Sequence, residues 1–140
     1  MARACRQIEL MVRVPPQRGS LADVLAEVAR HGCDVQAYCT YFDGADCIVL
    51  LVPDNPLAAQ RAVTAAGLPC KANPVVLVCE TDSVGAVARL GRQLQDAGIE
   101  ILYSYASSAG ESEFRAVFKT TDDEQALRLL DPPHRQQNVA

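Results

Sequence analysis

Two short segments of the chain have the residue types and the spacing to hold a small anion. They are Pro16-Gln-Arg-Gly-Ser20 and Asp82-Ser-Val-Gly85, and each stands between a strand-like run and a helix-like run. The first N–H groups of a helix lack partners within the helix and carry its positive dipole end. Glycine leaves them uncovered, so a carboxylate can bind there without a lysine or an arginine. A nearby carboxylate, from Asp82, Asp34 or Glu100, would accept an ammonium group through a charge-assisted hydrogen bond.

The two segments are copies of one pattern. Gly85 follows Gly19 by 66 positions, and Gly98 follows Gly32 by the same number. A constant offset between separate landmarks indicates a duplicated unit. We therefore expect two equivalent strand-turn-helix segments, each presenting a glycine at the head of its helix.

Simpler structural roles for these residues stay open. Gly19 and Gly85 also suit tight turns that bind nothing, because glycine is the commonest turn residue. Ser20 and Ser83 are typical helix caps, and this role is favoured over ligand contact. Arg18 is most simply a surface side chain.

The acidic and aromatic candidates have structural explanations as well. Asp34 and Glu100 are equally compatible with solvated charges at the edge of a sheet. Tyr103 and Tyr105 share one face of a predicted strand. Packing in the core is favoured for these tyrosines over a role in the wall of a pocket.

Periodicity predicts the order β-α-β-β-α-β in the first half of the chain. Apolar residues at alternate positions make 8–14 a half-buried strand, with Glu9 on its polar side. A helix follows the first turn and ends at His31-Gly32, since glycine favours the position after a helix. Asp43-Gly44 predicts a hairpin. The remaining elements are strands at 34–41, 47–52 and 68–72, and a helix that opens at Asp54-Asn55-Pro56.

The second half repeats this order except at its end. Strands are predicted at 74–79, 99–106 and 114–120, with helices over 83–97 and from Thr121, paired with Glu124 as a cap, to Leu130. A last strand would fall at 134–139, but Asp131-Pro-Pro133 leads into a polar tail there. That strand is therefore predicted to be short, to be supplied by another segment of polypeptide, or to be disordered. The predicted domains are residues 1–72 and 73–131, followed by a polar tail at 132–140.

Composition and charge exclude several classes of protein. The net charge is −4, basic runs are absent and aromatic residues are only 5% of the 140 residues, which argues against a nucleic-acid partner. No apolar run approaches the roughly 18 residues that span a membrane. The first residues lack the apolar core of a signal peptide. We expect a cytoplasmic protein with no nucleic-acid or membrane partner.

Residues that commonly carry catalysis or bind metals have simpler explanations in this sequence. The six cysteines show no C-x-x-C spacing, and only two histidines exist to complete a metal set, so we expect structural thiols and neither a metal nor a cofactor. Cys39, Cys47 and Cys79 lie in strand-like apolar runs, where a free cysteine behaves as a small buried hydrophobic residue. His31 suits the end of a helix, and His134 lies in the polar tail. Asp122-Asp123-Glu124 complements a helix dipole. No catalytic residue is assigned, and the chain is predicted not to be an enzyme.

Two predicted strands, at 47–52 and 74–78, are apolar on both faces. An antiparallel sheet with one face in water should instead alternate apolar and polar residues. The face away from the helices is therefore expected to be covered. A second copy of the chain is the simplest cover, so we predict a homodimer.

With both halves laid out, the chain resembles stand-alone proteins made of two ACT domains in tandem. The resemblance covers about residues 7–130. Pro16-Gln-Arg-Gly-Ser-Leu21 and Asp82-Ser-Val-Gly-Ala-Val87 correspond to the Asn-x-Pro-Gly-x-Leu turn of that family. Gly32-Cys-Asp-Val35 and Gly98-Ile-Glu-Ile101 correspond to its Gly-x-Asn-Ile step into the second strand.

The resemblance implies an α+β fold of two ferredoxin-like βαββαβ units, with antiparallel sheets and helices packed on one face. It also implies a non-catalytic regulatory protein that binds a small ligand, usually an amino acid, at the strand-to-helix turns and at interfaces between domains. Carried over residue by residue, the binding residues are Pro16, Gln17, Arg18, Gly19, Ser20 and Asp34 in the first half, and Glu80, Asp82, Ser83, Val84, Gly85 and Glu100 in the second.

The chain departs from the family pattern at several of these positions. Arg18 and Val84 stand where the family usually has proline, and Pro16 replaces its asparagine. Asp34 and Glu100 replace asparagine and add negative charge. The second site is therefore favoured over the first. The alternative function is a protein–protein interaction module whose ligand sites are vestigial.

Overall fold

The computed structural model describes residues 3–19, 21–108 and 112–131. The order of strands and helices confirms the predicted α+β class. The elements are β1 (Arg3–Val14), a 3₁₀ turn (Pro16–Arg18), α1 (Leu21–Arg30), β2 (Val35–Asp43), β3 (Asp46–Pro53), α2 (Pro56–Ala65), β4 (Cys70–Thr81), α3 (Ala86–Asp96), β5 (Ile101–Ser108), β6 (Glu113–Thr120) and α4 (Asp123–Leu130).

The described residues form two compact units. The first unit is Ile8–Asn73, and the second unit combines residues 3–7 with residues 74–131. Strands β1 and β4 are therefore each divided between the two units. Residues 3–7 of β1 and 74–81 of β4 belong to the second unit, and the rest of each strand belongs to the first. The sequence placed the boundary between residues 72 and 73, next to the one in the structure, but it assigned the N-terminal residues to the first unit. They count with the second because Ala4 lies in its core.

The first unit is a four-stranded sheet with two helices on one face. Its strand order is β2-β3-β1-β4, and β3 pairs antiparallel with both β1 and β2. Alternate residues of β1 and β3 point toward the helices, as the period of a strand requires. The buried cluster between sheet and helices includes Leu10, Val12, Val14, Val49 and Leu51 from the strands and Val24, Val28, Ala59 and Val63 from α1 and α2.

The second unit has the same construction. Its strand order is β1-β4-β6-β5, and β6 pairs antiparallel with β4 and β5. Its core combines Val76, Val78, Phe114, Ala116 and Phe118 of the sheet with Ala86, Leu90, Leu94, Ala126 and Leu130 of α3 and α4. Two ferredoxin-like units with helices on one sheet face were predicted, and the structure confirms them.

The N-terminal residues supply the fourth strand of the second unit. Ala4 is only 9% exposed within its core. Arg3 forms an ion pair with Glu113 at 3.4 Å, and Arg6 forms one with Glu124. The last strand predicted at 134–139 lies outside the described residues. The position beside β4 that such a strand would take is held by residues 3–7.

Both faces of the most apolar strands are buried within the single chain. Ile48 and Val52 of β3 and Val75 of β4 point away from the helical cores, yet each is almost fully buried. The homodimer stays a prediction. The apolar side chains that remain exposed lie on other strands, with Phe42 of β2 at 74%.

Some boundaries differ from the prediction. β4 is one strand where two were predicted, because proline at position 74 is compatible with extended backbone. α4 is capped by Asp122, whose side chain accepts from the N–H of Gln125 at 3.1 Å, rather than by Thr121 and Glu124. Glu9 was placed on a polar strand face but is fully buried, and it is not left without a partner.

All six cysteines are free thiols. Within residues 3–19, 21–108 and 112–131, no group of three histidine, cysteine, aspartate or glutamate side chains is arranged to hold a metal ion. In the same part of the chain, no helix combines the length and the apolar character needed to cross a bilayer.

Candidate functional site

The turn at residues 82–85, here the Gly85 turn, joins β4 to α3. Gly85 is the residue that caps α3, with φ 84° and ψ 0° in the left-handed region, where a side chain would be strained. No side chain caps this helix. The N–H of Ala86 donates to the carbonyl of Ser83 at 3.1 Å, and the N–H of Arg89 donates to the carbonyl of Gly85 at 2.9 Å. The head of α3 therefore presents backbone without a covering side-chain cap.

A guanidinium group lies over the Gly85 turn. Nη2 of Arg89 donates to the hydroxyl of Ser83 at 3.2 Å. Nη1 of Arg89 is 3.7 Å from the position that a Cβ atom on Gly85 would occupy. Val84 points fully into solvent. The cation and the positive end of the helix dipole both attract an anion at this turn.

Hydrogen bonds of Asp82 connect the same turn to the β5–β6 hairpin. Its Oδ2 accepts from the hydroxyl of Ser108 at 3.2 Å, and its N–H donates to the carbonyl of Ser112 at 2.7 Å. Asp82 is thus held in place beside the head of α3. Ser83 was favoured as a helix cap from sequence, but its hydroxyl accepts from Arg89 and the cap position belongs to Gly85.

The turn at residues 15–19, here the Gly19 turn, joins β1 to α1 and has different neighbours. Gly19 has φ 111° and follows the 3₁₀ turn. Nη2 of Arg18 donates to the carbonyl of Ala66 at 2.5 Å, at the C-terminal end of α2, where a cation suits the helix dipole. The guanidinium of Arg18 therefore lies against the C-terminal end of α2. Gln17 is exposed, and Ser20 lies outside the described residues.

A carboxylate of the chain itself lies against Gly19. Oδ2 of Asp23 is only 2.5 Å from the position that a Cβ atom on Gly19 would occupy, and Cγ is 3.2 Å from it. Asp23 stands in the first turn of α1. An acidic group at the head of a helix stabilises it through the dipole. The two glycine turns, equivalent in sequence, thus differ in the charge beside them.

A cavity of about 260 Å³ opens beside the Gly19 turn. Its wall contains residues that sequence reasoning did not select, because they lie on β2 and β3, far along the chain. Thr40 donates its hydroxyl to the carbonyl of Ile48 at 3.1 Å and lies 3.1 Å from Sγ of Cys47. The lining residues are Val14, Pro16, Gly19, Leu21, Thr40, Phe42, Ala45 and Cys47.

Asp34 and Glu100 do not join the turns of their own units. Both are exposed, and each stands at the start of a strand beyond the far end of a helix. The ten residues of α1 span about 15 Å between Gly19 and Asp34. In the sheet, Val14 at the turn pairs with Cys47, whereas Val35 pairs with Pro53 at the other end. A site that combines these acids with the turns remains a prediction.

Two further cavities lie against α3 in the second unit. One, of about 580 Å³, brings Glu80 together with Arg89, Arg92 and Leu129. The other, of about 910 Å³, contains Glu100 beside Arg92 and the C-terminal end of the helix. Glu80 therefore lies near the residue that covers the Gly85 turn, and Glu100 lies near the opposite end of α3.

Two ferredoxin-like units with helices on one face of each sheet, the second of which combines β4, α3, β5, β6 and α4 with residues 3–7, have the fold of tandem ACT-domain proteins, as the sequence resemblance predicted. No family sequence model and no curated protein sequence matches the chain. Among solved structures, a protein from Bacteroides thetaiotaomicron designated BT0572 is similar with a TM-score of 0.83 at 19% identity, over 95% of this chain and 90% of that one.

Aspartokinase subunits share the same fold. A structure of aspartokinase alpha and beta subunits is similar with a TM-score of 0.61 at 20% identity, over 96% of this chain and 97% of that one. The regulatory subunit of aspartate kinase from Thermus thermophilus, in ligand-free form, gives a TM-score of 0.66 at 16% identity, over 92% and 93% of the two chains. At these identities the likeness defines the fold.

Proposed function

We propose that this chain is a non-catalytic regulatory protein that binds an amino acid, and that the Gly85 turn holds the carboxylate of the ligand. The observation that carries the proposal is the head of α3, which begins on a left-handed glycine with no side-chain cap and has the guanidinium of Arg89 beside it. Two of the similar structures are aspartokinase subunits, one of them a regulatory subunit, which supports a regulatory role.

The chemistry of the turn suits a zwitterion. Backbone N–H groups at a helix head bind a carboxylate well, and hydrogen bonds from a charged donor such as Arg89 are the stronger kind. The carboxylate of Asp82, held by Ser108, is an acceptor at the same turn for the ammonium group of the ligand. Binding would stabilise the turn and, through the hydrogen bond between Asp82 and Ser108, strand β5. This stabilisation is the regulatory signal that we propose.

Thermal shift measurements with each of the twenty amino acids, followed by calorimetry on the best one, test the proposal. Gly85→Ala should lower the melting temperature, since a side chain at φ 84° is strained by about 1 kcal/mol, and should weaken ligand binding. Gly98→Ala is the matched control, because it is equally left-handed at φ 74° but lies at the other end of α3. It should lower stability similarly and leave binding intact.

The results that contradict the proposal are equally definite. Folded wild-type protein that shows no shift with any of the twenty amino acids would reject amino-acid binding. Equal loss of ligand affinity in the Gly85 and Gly98 variants would reject the Gly85 turn as the site, since both variants share the same backbone strain.

We further propose that the chain forms a homodimer. Its location in the cytoplasm and the absence of a nucleic-acid or membrane partner remain predictions. The exposed side chains of Tyr38, Tyr41 and Phe42 on β2 support self-association. β2 is an edge strand of the first unit, and exposed edges pair readily with other strands. Light scattering should give the mass of a dimer, and Phe42→Glu should give that of a monomer. A monomeric wild-type protein at micromolar concentration contradicts this.

The alternative function is a protein–protein interaction module. The same exposed aromatic residues of β2 favour it, because large apolar side chains left in solvent commonly mark interaction surfaces. A stoichiometric complex with one protein partner that is lost in Phe42→Glu, together with no response to any amino acid, would select this alternative over ligand binding.

A further inference from the structure

The cavity of about 580 Å³ in the second unit, here the α3–α4 cavity, has buried leucines and exposed arginines in its lining. Leu90 and Leu130 are 2% and 1% exposed, and Leu129 is partly buried against the same core. Its volume falls in the range of about 300–1,000 Å³ that is typical of sites for small molecules. The lining residues are Glu80, Ala88, Arg89, Leu90, Arg92, Gln93, Leu129 and Leu130.

Two guanidinium groups of this lining have uncharged partners. Nη2 of Arg89 donates to the hydroxyl of Ser83 at 3.2 Å, and Nη1 of Arg92 donates to the side-chain oxygen of Gln95 at 3.5 Å. Within residues 3–19, 21–108 and 112–131, neither arginine forms an ion pair. Two arginines against one glutamate leave the lining with a positive balance, in a chain whose net charge is −4.

The two arginines are not a requirement of the fold. By the 66-residue offset of the repeat, Arg89 and Arg92 of α3 correspond to Asp23 and Ala26 of α1. The first unit packs its helices on its sheet without a cation at either position. The pair of guanidinium groups beside the α3–α4 cavity is therefore a property of the second unit alone.

We propose that the α3–α4 cavity binds a small organic anion that has an apolar body. The anionic group pairs with Arg92 and Arg89, because hydrogen bonds between charged groups are the stronger kind. The apolar body lies against Leu129 and the buried leucines, which removes apolar surface from water. This site goes beyond the proposed function. Arg89 also lies beside the Gly85 turn, so Arg92 is the residue that distinguishes the two sites.

A fluorescence titration with 1-anilinonaphthalene-8-sulfonate tests the proposal, because this dye combines a sulfonate with apolar rings. N-phenyl-1-naphthylamine is its neutral counterpart, which lacks only the sulfonate. The folded wild-type chain should bind one molecule of the sulfonate dye. Decanoate, which has both an anionic group and an apolar body, should displace the dye, whereas acetate and decanol at the same concentration should not.

One substitution should separate the two dyes. Arg92→Gln should weaken binding of the sulfonate dye about tenfold, the usual effect of losing one charged hydrogen-bond donor, and leave binding of the neutral dye unchanged. Arg61→Gln is the matched control, because Arg61 is an exposed arginine on α2 of the first unit. It removes the same charge from the chain and should change the affinity for neither dye. Circular dichroism checks that both variants are folded.

NMR spectra of the methyl groups locate the bound molecule. In ¹H–¹³C spectra of the wild-type chain, decanoate should shift the methyl signals of Leu90 and Leu129. The signals of Val24 and Val63, which lie in the core of the first unit, should stay unchanged. Shifts confined to the first unit would place the anion elsewhere and overturn the proposal.

The remaining outcomes separate this inference from the proposed function. Equal loss of sulfonate-dye affinity in the Arg92 and Arg61 variants would overturn the inference, because affinity would then follow net charge alone. A folded wild-type chain that responds to an amino acid but binds neither the sulfonate dye nor decanoate would overturn this inference and leave the proposed function standing. Dye binding that is lost in Arg92→Gln, together with no response to any amino acid, would support this inference and reject the proposed function.

Discussion

The N–H of Asp34 donates to the carboxylate of Asp54 at 2.9 Å, and the N–H of Asp54 donates back to the carbonyl of Asp34 at the same distance. The second unit repeats this reciprocal pair with Glu100 and Thr121, at 3.1 Å and 3.0 Å. Each pair closes the open end of a strand hairpin. In both, the residue predicted to bind a ligand takes part only through its backbone.

Removing the side-chain acceptor of either pair should weaken the hairpin. Asp54→Ala and Thr121→Ala are each expected to lower the free energy of unfolding by about 0.5–1 kcal/mol, the net contribution of one exposed hydrogen bond. Urea unfolding measures the change. Asp34→Asn and Glu100→Gln are the matched controls and should stay within about 0.5 kcal/mol of wild type, because exposed side chains seldom matter to stability. A larger loss in the controls would assign a structural role to those carboxylates.

Substitutions at two neighbouring positions in the strand formed by residues 3–7 should differ sharply in their effect on stability. Ala4 lies in the core of the second unit, whereas Cys5 is exposed on the other side of the strand. Ala4→Asp should destabilise the protein by about 3 kcal/mol, since it buries a charge without a partner. Cys5→Asp should leave stability nearly unchanged. Hydrogen exchange should show the loss of protection in β4 and β6. Equal effects of the two substitutions would contradict this packing.

The stability of the protein should depend on pH because the pKa of Asp123 is lower in the folded chain than in the unfolded chain. Burial acts to raise its pKa, but the ammonium of Lys119 at 2.7 Å and the hydroxyl and N–H of Thr120 outweigh burial and lower the pKa. A folded-state pKa below the unfolded value means that the carboxylate stabilises the folded chain above about pH 4 and stops doing so as pH falls through the folded pKa. Asp123→Asn should cost about 1–3 kcal/mol at pH 7.

The cost of Asp123→Asn should shrink when urea unfolding is repeated at pH values falling below about 4, because the carboxylate of the folded chain then approaches its lowered pKa and begins to take up a proton. Glu124→Gln serves as the control, because its ion pair with Arg6 is solvent-exposed and contributes little. A cost for Asp123→Asn that does not change with pH would show that shape, rather than charge, makes this residue stabilising.

The thiol of Cys33 should react more slowly than that of the exposed Cys5. Burial raises its pKa, and the negative charge of Asp54 raises it further, so the reactive thiolate is rare. Alkylation with iodoacetamide at pH 8, followed by mass spectrometry, should modify the exposed Cys5 at least about tenfold faster than Cys33. Asp54→Asn should speed the reaction of Cys33 only modestly, because burial is the larger cause. Equal rates in the folded wild type would contradict the burial of Cys33.

The sequence by itself determined the βαββαβ order of the first unit, the matching βαββα order of residues 74–130 and the positions of their turns. Glycines 19, 32, 85 and 98, which marked the repeat, all have positive φ. These features are local, because backbone sterics and the periods of helix and strand depend on neighbours along the chain. The same local reasoning located the head of each helix to within a few residues.

Only the tertiary structure decided which distant residues surround each turn. Periodicity identifies an apolar face but not its neighbour, so the assignment of residues 3–7 to the second unit and the burial of Glu9 were not predicted. The pattern also could not show that Asp23 and Arg89 fold back over their glycines, because long side chains choose their direction from the packing around them. Strand register, set by pairing across the sheet, places Asp34 at the opposite end of the first unit's sheet from the Gly19 turn.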